Sequence, residues 1–172
     1  VGNAPRSVSM GDIDGDGDLD MVVANGGSDD TSVLINNGDG TFTDQVIYPA
    51  GDAPLSVALG DFNGDGDLDI VTSNIGSDDT SVLLNRGDGT FADQVRYTVG
   101  GGPQGLSLGD VDGDGDLDIL TANWRSDDTS VLLNHGDGTF ASQSRYSAGA
   151  APRSVTLGDV DGDGDLDMVA TN

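Results

Sequence analysis

A period of 49 residues governs this chain. The stretch GDIDGDGDLDMVVAN that begins at Gly11 returns at Gly60 as GDFNGDGDLDIVTSN, at Gly109 as GDVDGDGDLDILTAN and at Gly158 as GDVDGDGDLDMVATN. A second signature, SDDTSVLINNGDGTF from Ser28, returns from Ser77 and from Ser126. The phase divides the chain into repeat 1 (1–49), repeat 2 (50–98), repeat 3 (99–147) and a half repeat (148–172). A unit this short cannot bury its own apolar face, so the repeats must stack and share a core.

Each repeat reads as four short strands. Ser7 to Met10 alternates small polar and apolar residues, the period of a half-buried strand (strand a). Leu19 to Ala24 is rich in β-branched residues (strand b), and Ser32 to Asn36 follows a polar turn (strand c). The Asn37-Gly38-Asp39-Gly40 cluster is a hairpin turn into Thr41 to Tyr48 (strand d). No segment has helical periodicity. The expected fold is therefore all-β: propeller blades of four antiparallel strands, three and a half repeats in all, with strands b and c sandwiched between adjacent blades. A linear β-solenoid is the rival, but its coils are usually shorter and do not need the hairpin turn.

Between strands a and b each repeat carries the pattern DxDxDGxxD. In the first copy Asp12, Asp14 and Asp16 stand at positions 1, 3 and 5, Gly17 at 6, Asp18 at 7 and Asp20 at 9. Alternate carboxylates on a tightly curved loop converge on one centre, and glycine permits the positive φ that turns the chain around an ion. Asp18 is expected to contribute its backbone carbonyl. The equivalents are Asp61, Asn63, Asp65, Asp67 and Asp69; Asp110, Asp112, Asp114, Asp116 and Asp118; and Asp159, Asp161, Asp163, Asp165 and Asp167. Five oxygens per loop suit Ca²⁺, giving about four expected sites. Position 12 of an EF-hand would hold glutamate, but here it is Val23, Thr72, Thr121 and Ala170, so closure at position 9 is expected.

The loop, its place between strands a and b, and the strand order resemble the FG-GAP (VCBS) repeats of integrin α-subunit propellers and bacterial surface proteins. The resemblance spans essentially the whole chain, with Asn63 its one mild departure. It implies a propeller with calcium in the a–b loops, placed outside the cell or on its surface, and serving adhesion, ligand binding or scaffolding.

Composition narrows the chemistry. All 31 acidic residues are aspartate, only six arginines oppose them, and the formal net charge is −25. Such a field excludes nucleic acid and anionic membranes as natural partners, and it opposes compaction unless cations neutralise it. With no cysteine, thiolate metal sites and disulfides are excluded, which leaves hard, oxygen-bound cations. No apolar run approaches membrane-spanning length, so no membrane insertion is expected.

No catalytic constellation can be assembled around His135, the sole histidine, and almost every acidic residue recurs with the repeat, so no enzyme is expected. Trp124 lies in the b–c turn of repeat 3, where it would either stack on a sugar ring or pack on a neighbouring blade. Arg86-Gly87-Asp88 spells an integrin-recognition tripeptide at a turn position that varies between repeats, and coincidence is the plainer account. The expected function is a non-catalytic calcium module for adhesion or surface scaffolding, with glycans or cell-surface proteins as partners. The alternatives are a lectin-like module or an accessory domain of a polysaccharide-degrading enzyme. Because the chain holds four copies of strands a and b but three of c and d, a longer array or self-association through the terminal half repeat is also expected.

Overall fold

The alternation within each repeat becomes a four-stranded antiparallel sheet in the computed structural model, which describes residues 1–172. The first sheet orders β1 (Pro5–Gly11), β2 (Asp20–Asn25), β3 (Asp30–Leu34) and β4 (Val46–Pro49) as in the sequence. The second contains β5 (Pro54–Gly60), β6 (Asp69–Asn74), β7 (Asp79–Leu83) and β8 (Val95–Thr98). The third contains β9 (Pro103–Gly109), β10 (Asp118–Asn123), β11 (Asp128–Leu132) and β12 (Ser144–Ser147). The half repeat forms the hairpin of β13 (Ser154–Gly158) and β14 (Asp167–Thr171). The molecule has no helix. Its sheets are propeller-like blades, with β1 beside β5, β5 beside β9 and β9 beside β13.

The core lies between blades. Ile70 joins Ile13, Val22 and Val33 of the first blade, whereas its neighbour Val71 joins Ile119, Leu132 and Phe140 of the third. Successive side chains of a strand point to opposite faces, so burying both faces of β6 calls for apolar or small residues from Ile70 to Ser73, while Asp69 and Asn74 at its ends are buried with hydrogen-bond partners. All six residues of β6 and all six of β10 are buried accordingly. Tyr48 meets Phe91 edge to face at 5.4 Å, and Tyr97 meets Phe140 in the same way at 5.2 Å. These pairs lock the d strand of one blade onto the c–d turn of the next. On the outer face of the first blade, by contrast, Val8 and Met10 are exposed.

Gly11 shows how closely blades approach. A Cβ there would stand 2.6 Å from Leu68 Cδ1 of the next blade, so any larger residue would have to displace the end of that leucine side chain. A polar staple adds to the packing. Asp29, held at φ 57°, accepts from the Ala53 N–H of the following blade at 2.8 Å, and Asp78 and Asp127 repeat the bond to Gly102 and Ala151.

Strand boundaries differ from the sequence expectation at the c–d hairpin. Strand c stops at Leu34 instead of Asn36, and strand d starts at Val46 instead of Thr41, with only an isolated Asn36–Phe42 bridge between them. The cause is competition by side chains. The Asn36 N–H donates to Asp20 Oδ1 at 2.8 Å instead of to a ladder, and Asp39 Oδ1 draws in both the N–H and the hydroxyl of Thr41.

Candidate metal centres

Each acidic loop joins the first two strands of its blade, β1 to β2 and its equivalents, and its shape comes from aspartates that accept backbone hydrogen bonds. In the first loop the Asp12 carboxylate takes Gly15 N–H at 2.9 Å and Gly17 N–H at 3.0 Å. Asp61, Asp110 and Asp159 do the same in their loops. Gly15 and Gly17 sit at φ 78° and 94° with open space around them, so these turns are required by the curl of the chain and not by crowding.

Position 9 is the buried end of the site. Asp20 is fully buried; its Oδ2 accepts from Ile13 N–H and its Oδ1 from Asn36 N–H, both at 2.8 Å. Asp69 is held by Phe62 and Asn85, and Asp118 by Val111 and Asn134. Asp167 takes only Val160 N–H. Burial pushes Asp69 up to about 6, the nearby Asp65 and Asp61 carboxylates add to the shift, and the two N–H donors oppose it. Asp118 is raised for the same leading reason. Asp14 is raised too, by desolvation first and then by the carboxylates of Asp16, Asp20 and Asp12. In these three carboxyl groups desolvation first, and neighbouring carboxylates second, disfavour the charged form when no cation is present.

Three loops bring three carboxylates together. Single oxygens of Asp12, Asp14 and Asp20 lie within 4.8 Å of one another, as do those of Asp110, Asp112 and Asp118, and of Asp159, Asp161 and Asp167. Each triad could hold a metal ion, and an all-oxygen donor set of this kind favours a hard cation. In the second loop Asp61 and Asp69 have the same loop positions, but position 3 is Asn63, whose Nδ2 donates to Asp65 Oδ2 at 2.8 Å. Positions 5 and 7 stand outside the triads. Asp16 Oδ1 accepts from Asp18 N–H at 2.8 Å, as Asp65, Asp114 and Asp163 do from Asp67, Asp116 and Asp165. The Asp18 carboxylate turns onto the neighbouring hairpin, where a Cβ at Gly38 would stand 2.8 Å from its Oδ2; Asp67 and Asp116 face Gly87 and Gly136 likewise.

Sequence reasoning missed the asparagine at the head of the c–d turn. Asn85 Nδ2 donates to Leu68 O of its own loop at 3.1 Å and to Ile13 O of the preceding loop at 2.8 Å. Asn134 makes the same pair of bonds to Leu117 O and Phe62 O. The signal was present in the repeats, because Asn36, Asn85 and Asn134 are identical where the next residue varies as Asn37, Arg86 and His135. Of the residues outside the loops, Trp124 keeps 38 % of its surface exposed. The Arg86 guanidinium folds back on Phe91 O, and the Asp88 carboxylate is taken by Thr90 N–H and hydroxyl, so both charged ends of the Arg-Gly-Asp tripeptide are engaged within their own turn.

The family model described as "FG-GAP-like repeat" matches residues 12–72, 73–121 and 110–170. No curated protein matches the chain. Among solved structures, an Agrocybe aegerita lectin that recognises non-reducing terminal N-acetylglucosamine is 24% identical with TM-score 0.60, over 94% of this chain and 45% of the lectin chain. The V. cholerae biofilm matrix protein Bap1 is 22% identical with TM-score 0.56, over 98% of this chain and 28% of that one. The Photorhabdus luminescens Tc holotoxin pore is 20% identical with TM-score 0.57, over 96% of this chain and 8% of that one. This chain therefore spans less than half the length of each, and the likeness is one of fold.

Proposed function

The chain belongs to the FG-GAP-like repeat family, and on that premise we propose that it is a non-catalytic, extracellular calcium-binding module for adhesion or surface scaffolding. The observation that carries this reading is the carboxylate triad, folded alike at the start of three blades and echoed with one amide in the fourth. Asp12, Asp14, Asp16 and Asp20, with the main-chain carbonyl of Asp18, would hold the ion in the first loop, and the same positions would do so in the others. The ion supplies positive charge where carboxylates crowd, and so fixes the loop against its blade. Support for a surface role comes from the net charge of −25 and from the similarity to a biofilm matrix protein. Binding of labelled chain to whole microbial cells and to extracellular matrix, in calcium and in EDTA, tests the role. Calcium-dependent retention is expected, and equal retention in both would reject it.

A second reading, glycan binding, is favoured by the lectin neighbour together with exposed Trp124. A glycan array probed with the parent chain and Trp124→Ala separates the two readings. Specific glycan signals abolished by the substitution would place sugar recognition first.

Two expectations follow for the second loop. Asn63 contributes no charge and its amide is bonded to Asp65, so this loop should bind calcium most weakly, and Asn63→Asp should tighten it by roughly tenfold, one Coulombic interaction of about 1–2 kcal/mol in a partly screened site. Per-loop calcium titration checks this, and an unchanged affinity would remove the charge argument. The second expectation concerns pH. The ordinary value for Asp69 is 3.8 and its folded value about 6, so without metal the folded state binds the extra proton between those limits. The stability of the metal-free chain should therefore fall as pH rises through that window. Calcium must displace the same proton, so its affinity at this loop should drop about tenfold between pH ~7 and pH ~5. Isotherms at both pH values measure it.

A further inference from the structure

Hydrogen bonds linked through four intervening residues, Ile13, Asn85, Phe62 and Asn134, run through the first three loops. Asp20 Oδ2 accepts from Ile13 N–H, Ile13 O accepts from Asn85 Nδ2, and Asn85 N–H donates to Asp69 Oδ1. The line resumes at Asp69 Oδ2, which accepts from Phe62 N–H; Phe62 O then accepts from Asn134 Nδ2, and Asn134 N–H donates to Asp118 Oδ1. Every bond is between 2.7 and 2.9 Å. Asp20, Asp69 and Asp118 are at most 1 % exposed, Ile13 and Phe62 are 1 %, and Asn85 and Asn134 are 6 % and 4 %. Water therefore has little access to substitute for any link. The Val111 N–H donates to Asp118 Oδ2 at 2.9 Å, the bond that Ile13 and Phe62 make in their own loops.

We propose that Asn85 and Asn134 are positioning residues that couple neighbouring metal loops, so that filling any of the first three raises the calcium affinity of its relay neighbour. The inference rests on the calcium reading above. Its physical basis is shared ordering. A cation at the third loop fixes the position-9 carboxylate, which holds Asn134; Asn134 then holds the Phe62 carbonyl, and the next carboxylate along is pinned through the Phe62 N–H. A second ion binding to a loop already ordered loses less conformational entropy than the first. Coupling of this kind is reciprocal, and it requires measurement because spatial continuity alone does not establish it.

The Asn134 bond that joins the second loop to the third provides the test. Calcium titrations of the full chain are followed by NMR at the amide of Gly66, in the second loop, in the parent and in Asp112→Ala, which disables the third loop. The second loop should lose affinity by about fivefold or more, the lower end of common allosteric couplings. In an Asn134→Ala background the same Asp112→Ala change should leave the second loop within about twofold, and an Asn36→Ala background, where no inter-blade bond exists, should preserve the full effect. A shift at the second loop that persists in the Asn134→Ala background would assign the coupling to charge and overturn the proposal, as would no shift in the parent. Should Asn134→Ala not fold, Asn134→Leu, which keeps the side-chain size without the Nδ2 donor, is compared in the same way. If no loop responds to calcium at all, the calcium reading itself fails; if all respond without coupling, only the relay does.

Discussion

Stripping calcium from the chain with EDTA is expected to lower its melting temperature by roughly 10–25 °C at moderate ionic strength. With affinities of about 10⁻⁴ M, common in extracellular modules, and about 1 mM free calcium, each site adds on the order of 1.4 kcal/mol by mass action. Four such sites amount to about 6 kcal/mol, comparable with the whole stability of an ordinary domain. Charge pushes in the same direction: 31 carboxylates against six arginines repel one another, and the crowding is densest in the loops that would lose their cations. A thermal scan by circular dichroism in calcium and in EDTA measures the difference, and coincident transitions would contradict it.

Asp69→Ala should destabilise the chain by about 2–6 kcal/mol even when no calcium is present, because two buried N–H groups lose their acceptor and each unsatisfied donor costs about 1–3 kcal/mol. Those donors are Phe62 at 2.9 Å and Asn85 at 2.7 Å, both bonds buried. Asp65→Ala in the same loop provides the contrast. It removes two exposed bonds, from Asp67 N–H and Asn63 Nδ2, whose donors water can satisfy, and should cost about 1 kcal/mol or less in EDTA. Denaturant unfolding in EDTA compares the two variants, and equal losses would show that the position-9 carboxylate has no structural role beyond metal binding. The difference matters for the account as a whole, since it makes position 9 the joint between the metal loop and the blade core.

Much of this arrangement was legible in the repeat. Four strands per period, the turn at Asn37 to Gly40, and burial of strands b and c on both faces all follow from periodicities of two and 49. The loops, too, declared themselves, through alternate aspartates and a glycine at position 6. What could not be read was which side chains face across a blade boundary. Asn85 reaches Ile13 across 72 residues of sequence, and no local pattern encodes that distance. The burial of Asp20, Asp69 and Asp118 was hidden too, because each is capped by the c–d turn of its own blade, 16 residues further on, as well as by an N–H of its own loop. The shortening of strands c and d at Asn36 and Thr41 also arose from side-chain oxygens competing for backbone N–H groups, and strand propensities do not count these. Gly11 carries a similar lesson, for the atom closest to it is Leu68 Cδ1 in the following blade.

Calorimetric titration of the chelator-stripped chain with calcium is the most direct measure of the central claim, that the acidic loops are calcium sites. The account predicts saturable binding of about four ions per chain, with the weakest site restored towards the others by Asn63→Asp and one site lost with each of Asp14→Ala, Asp112→Ala and Asp161→Ala. Absence of saturable binding at millimolar calcium, or a stoichiometry untouched by these substitutions, would contradict it.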